Sequence, residues 1–125
     1  MEKNAIATAK APAAIGPYSQ GIRAGGLIFT SGQIPLDPVS KKMPEGIKEQ
    51  TRQVFSNIRA ILEEAGSSLD KVVKVTVFLA DIGDFAAMNE VYASFFSQPF
   101  PARSTFAVKD LPLGAKVEIE TVALV

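Results

Sequence analysis

The sequence contains no cysteine and no histidine. Without cysteine there is no disulfide, no thiolate nucleophile and no thiolate-held zinc. Without histidine there is no Ser-His-Asp triad, no imidazole general acid or base, and hardly any transition-metal site of ordinary ligand type. An excess of charge is missing as well, since 13 Lys and Arg balance 13 Asp and Glu. A protein that neutralises many phosphates clusters its cations. No local run does so here, which disfavours nucleic acid as the main partner. The opening residues, MEKNAIATAKAPAAIG, lack the long apolar core of a signal peptide, and no run approaches a membrane span. The expected location is the cytoplasm. Any chemistry has to run on Arg, Lys, Glu, Asp, Tyr, Ser, Thr, Asn, Gln, backbone groups and water.

What is present suits one compact domain spanning residues 1–125, with 47% hydrophobic residues. IGPYSQGIRAGGLIFTSGQIP reads as a hairpin: a strand over about 18–24, a turn at Gly25-Gly26, and a second strand ending at Gly32. Polar, proline-bearing sequence over 35–45 reads as a loop. IKEQTRQVFSNIRAILEEAG then places Ile47, Val54, Ile58, Ile61, Leu62 and Ala65 on one helical face, with Gly66 as its stop. VVKVTVFLA, residues 72–80, is apolar on both faces and reads as a central strand covered on both sides. DFAAMNEVYASFF is a second helix with Phe85, Met88, Tyr92 and Phe95 as its buried stripe and Asp84 as a cap or first-turn acid. Strands from Ala102 and over 116–125 follow, joined through the turn KDLPLG. The order is β-β-α-β-α-β-β, with no repeat and no second domain.

Two helices cannot cover both faces of a five- or six-stranded sheet, so both are expected on one face. Another subunit is the simplest cover for the other. Alternation puts Arg103, Thr105 and Ala107 on one side of their strand and Ser104, Phe106 and Val108 on the other. In the last strand, Glu118 and Glu120 oppose Val117, Ile119 and Thr121. The natural assignment sends Phe106, Val108, Val117 and Ile119 toward the helices. Arg103, Thr105, Glu118 and Glu120 then share the face that an oligomer would bury. An arginine there suits a planar carboxylate, gripped by two parallel hydrogen bonds. It could equally pair across strands with Glu118 or Glu120. Tyr18 could line a site or simply dock its ring at a sheet edge. Ser31-Gly32 offers a hydroxyl and approachable amides, or else plain turn chemistry. Asn89 lies off the main stripe of its helix, where a solvated or capping role is the ordinary one.

APAAIGPYSQG, TSGQIP, VVKVTVFLADIGDFAAMNEVYASFF, FPARS and KVEIE occur in this order and at these spacings. Together they resemble the RidA (YjgF-like) family of imine deaminases, over nearly the whole chain from about Ala11. The resemblance implies an α+β, chorismate-mutase-like fold: a mixed sheet with two helices on one face, assembled as a homotrimer with clefts between subunits. It implies hydrolysis of 2-imino acids such as 2-iminobutanoate and 2-iminopropanoate to 2-keto acids and ammonia, with no cofactor and no metal. By position, Arg103 would bind the substrate carboxylate and Glu118 would hold the attacking water. Tyr18, Ser31, Gly32 and Asn89 would line the cleft, and the Thr105 backbone N–H would touch the carboxylate. Many members carry cysteine at that last position; threonine here removes any thiol chemistry but leaves the backbone contact. Two other readings stay open: an endoribonuclease or translation inhibitor, and a keto-acid-binding regulatory module without turnover.

Overall fold

The computed structural model describes residues 2–125. Six strands form one mixed sheet: β1 (Lys3–Ile6), β2 (Gly21–Ala24), β3 (Leu27–Thr30), β4 (Val72–Leu79), β5 (Ala102–Ala107) and β6 (Val117–Leu124). Their spatial order is β1-β2-β3-β6-β4-β5. All neighbours are antiparallel except β4 and β5, which run parallel around the second helix. The helices are α1 (Ile47–Glu64) and α2 (Phe85–Phe95).

Helix α1 forms where the apolar residues recur every three to four positions. Val54, Phe55, Ile58, Ile61 and Leu62 are all fully buried. It ends as expected at Gly66, whose φ of +80° is a left-handed conformation that a side chain would strain. The face it covers is the period-two row of the central strands: Val75, Val77 and Leu79 of β4, Val117, Ile119 and Ala123 of β6, and Ile28 of β3. Each of these Val, Leu and Ile side chains contributes about 1.5–3 kcal/mol on leaving water. Helix α2 adds Met88, Val91 and Tyr92 to this core, and Tyr92 meets the Phe55 ring edge-on at 5.8 Å.

Several expectations change in the structure. A further strand, β1, lies at the edge beside β2, held there because Ile6 reaches the core. Strand β2 starts at Gly21 rather than near Tyr18. Strand β4 is covered on its helix side alone, leaving Val73 40% exposed and Phe78 half-buried.

The largest correction concerns β5. Its residues alternate as expected, but its rows face the other way. Arg103 pairs with Val75 and Thr105 with Val77, so both lie on the helix side. Phe106 pairs with Phe78 on the helix-free side, where the two rings meet edge-to-face at 5.3 Å. Glu118 and Glu120, opposite Phe78 and Thr76, are on that helix-free side too. The physical reason is position. β5 is an edge strand, and what its helix side meets there is the Asn89–Tyr92 portion of α2 rather than the centre of the core.

Candidate active site

Arg103, the second residue of β5, is aimed at α2. One guanidinium nitrogen, Nη1, donates to Asn89 Oδ1 at 2.6 Å. The guanidinium carbon lies 4.6 Å from the Tyr92 ring centroid and 5.4 Å from that of Phe85. Phe85, Asn89 and Tyr92 are spaced four and three apart, which puts them on one face of α2. They form a cradle of two rings and an amide, and every member is neutral. Among the described residues, ion pairs join Lys48 to Glu90 and Arg52 to Glu49; neither involves Arg103. The cross-strand pairing of Arg103 with Glu118 or Glu120 is therefore not formed, because the sheet lies between them.

A cleft of about 360 Å³ opens at this point, lined by Asn89, Tyr92, Ala93, Phe100, Pro101 and Arg103. Two hydroxyls near it are buried without a hydrogen-bond partner, those of Tyr92 and Thr105. Burial pushes the Tyr92 phenol up, while the Arg103 charge beside it pulls the other way. Thr105 stands two residues beyond Arg103 in the same row.

The other predicted residues gather on a different part of the molecule. Past the end of β3, Gln33 exchanges backbone hydrogen bonds with Ile119, 2.8 Å to its carbonyl and 3.1 Å back. This holds Ser31 and Gly32 against β6. A Cβ built on Gly32 would overlap the Glu118 carboxylate and stand 2.9 Å from its Cδ, so only glycine lets the two approach. Burial raises the Glu118 pKa, and Glu120 two residues on raises it further. Ser31 donates its hydroxyl to the Ser19 carbonyl, and its N–H donates to Gln20 O at 2.9 Å. The same segment carries Tyr18, which is 53% exposed and accepts from the Ile15 N–H at 3.4 Å.

The seven residues thus fall into two groups. Arg103, Asn89 and Thr105 stand on the helix side at the β5 edge. Glu118 stands on the helix-free face with Gly32 against it, and Ser31 and Tyr18 belong to the adjoining segments. Sequence reasoning missed Phe85 and Tyr92 as parts of the first group, because their helical spacing reads as core. The available signal was Asn89 itself, a polar residue flanked at i−4 and i+3 by two rings.

The family model described as Endoribonuclease L-PSP matches residues 8–125. The chain belongs to that family, the one that contains the RidA proteins. A RutC family protein of Pyrococcus abyssi is 54% identical over 98% of this chain and 98% of its own length. A protein of Capra hircus named 2-iminobutanoate/2-iminopropanoate deaminase is 49% identical over 99% of this chain and 91% of its own. In structure, a Rid family protein of Yersinia pestis, of unknown function, superposes with a TM-score of 0.96 at 48% identity, covering 99% of this chain and all of that one. A RidA-family fold thus accounts for the mixed sheet and for both helices on one face.

Proposed function

We propose that this protein hydrolyses reactive 2-imino acids, 2-iminobutanoate and 2-iminopropanoate among them, to 2-keto acids and ammonia. The reading rests on Arg103, a half-buried cation without a carboxylate partner, held by neutral groups at the mouth of a cleft. Such a cation suits a ligand that brings its own carboxylate. The name of the Capra hircus relative supplies the substrate class.

The chemistry asks little of the protein. The imine carbon is electrophilic, more so once its nitrogen is protonated. Arg103, with the Thr105 N–H, fixes the carboxylate and so the position of that carbon. Glu118 orients a water and takes up its proton as the oxygen bonds to the carbon. Glu118 returns that proton to the nitrogen of the resulting carbinolamine, the C–N bond breaks as the hydroxyl gives up its own proton to become the keto oxygen, and ammonia leaves. Tyr18, Ser31 and Gly32 of a neighbouring chain complete the cleft beside Glu118, and Gly32 lets the Glu118 carboxylate lie close against the backbone.

Arg103 and Glu118 lie on opposite faces of one chain's sheet, so in this reading the complete site forms between chains. We read the assembly as a homotrimer whose sheets meet at their helix-free faces, which carry exposed Phe29, Phe106 and Leu124. No helix is long and apolar enough to cross a membrane among the described residues; a cytoplasmic location belongs to the same reading.

The test is a coupled assay. A dehydratase generates 2-aminoacrylate or 2-aminocrotonate, and semicarbazide traps the derived imine unless it is hydrolysed first. The protein is expected to suppress semicarbazone formation catalytically, and Arg103→Ala to lose this by about a hundredfold or more while the oligomer persists. Stoichiometric binding of keto acid without turnover would establish a regulatory module instead. RNA cleavage that survives removal of contaminating nuclease and is lost in Arg103→Ala would establish the nuclease.

A further inference from the structure

Arg103 is held by an unusual choice of partners. Buried or half-buried arginines are ordinarily paired with a carboxylate, because a desolvated charge is costly alone. Here the hydrogen-bond acceptor is the Asn89 amide, at 2.6 Å, and the rest of the support is two aromatic faces. An aspartate has the same length and would accept the same hydrogen bond more strongly. It would also neutralise the cation.

We propose that Asn89 is a positioning residue for Arg103, and that a neutral acceptor is required there so that the guanidinium charge stays available to the ligand carboxylate. Asn89 then acts through Arg103 rather than on the substrate. Its Oδ1 occupies one N–H of Nη1 and fixes the planar fork, leaving the other donors of the guanidinium for the ligand. The rings of Phe85 and Tyr92 supply attraction to the cation without an opposing charge, since their faces carry only quadrupoles. Tyr92 is buried, at 6% exposure, and its ring packs on Phe55 and Phe96, which holds the platform in place. The stability cost of leaving a cation unneutralised is accepted in exchange for ligand affinity, a strain of the kind found at binding sites.

The inference rests on Arg103 as the carboxylate clamp, and the experiment separates the two. Binding of a stable carboxylate probe, 2-oxobutanoate, is measured by calorimetry for the wild type, Arg103→Ala, Asn89→Ala and Asn89→Asp, together with melting temperatures and the KM and kcat of imine hydrolysis. Asn89→Asp keeps the acceptor but adds charge, and is expected to lose about ten- to a hundredfold in affinity, the worth of a charge-assisted hydrogen bond. Asn89→Ala removes the acceptor but not the charge balance, and is expected to lose less. Melting temperatures should run in the opposite order, with Asn89→Asp above Asn89→Ala. The losses should appear in KM rather than kcat. If Asn89 merely supports the fold, Asn89→Asp will bind the probe as well as or better than Asn89→Ala, and the proposal is overturned. If Arg103→Ala binds the probe like the wild type, the clamp itself is wrong and the proposal falls with it.

Discussion

Arg103 and Glu118 lie on opposite faces of the same sheet, on β5 and β6, with β4 alone between their strands. Neither can reach the other through the layer of backbone between them. If both serve one substrate, they do so from different chains.

That arrangement makes complementation the sharpest prediction. Arg103→Ala and Glu118→Gln should each be inactive as pure proteins. Co-refolded in equal amounts, they should regain activity, because about a quarter of the inter-subunit sites then combine an intact Arg103 from one chain with an intact Glu118 from another. Turnover of 2-iminobutanoate before and after mixing measures it. Mixed samples as dead as the parents would place both residues in the same chain's site.

The pH profile follows from Glu118. With Glu118 as the proposed base the carboxylate is the active form, so activity should be present above its pKa and lost as pH falls through it. Burial raises that pKa and Glu120 raises it further, so the acid limb of kcat should set in at a higher pH than an ordinary glutamate gives. Glu120→Gln removes the second cause and should move the limb down. The stability link has the opposite sense. A raised folded-state pKa means that the native protein gains a proton before the unfolded chain does, so this group's charged form costs stability at neutral pH and the cost is relieved as pH falls into the raised range. A limb unmoved by Glu120→Gln would show that another group sets it.

Gly32→Ala should separate folding from activity. The added methyl meets the far end of the Glu118 side chain rather than backbone. The carboxylate can swing aside, so stability should fall by about 1 kcal/mol, the low end of what an added methyl costs. The displaced carboxylate should nevertheless lower kcat about a hundredfold, the usual effect of misplacing a catalytic group by an ångström. Thermal melting and steady-state kinetics on one preparation decide it.

Phe106→Asp addresses the helix-free face. Phe106 is 45% exposed in the single chain and packs there on Phe78. Loss of that ring pair costs the monomer about 1 kcal/mol. A charge buried between subunits costs the assembly far more. The variant should sediment as a folded monomer without activity. An active oligomer would show that this face is not the contact.

Much of the architecture was legible in the sequence. Helix α1 announced itself through Val54, Ile58, Ile61 and Leu62 and its glycine stop, and β6 through strict alternation, because both patterns are local and repeat with the period of the backbone. β1 was not legible: KNAI is short and half polar, and it becomes a strand only because β2 offers an edge and the core offers Ile6 a place. Tyr92 was read as core, which it is, but its face toward Arg103 depends on a strand that arrives later in the chain.

By itself the sequence determined both helices and five of the six strands in their order, and which side chains of β5 share a row. It also bounded the chemical repertoire, since a chain without histidine or cysteine must work through its other polar side chains, backbone groups and water. Only the tertiary structure decided which row of β5 meets the helices. Alternation follows from the geometry of one strand, whereas the facing of a row follows from the register with a neighbour, here Val75 against Arg103 and Phe78 against Phe106. That single long-range choice put Arg103 on the neutral cradle of α2 and left Glu118 on the far side of the sheet.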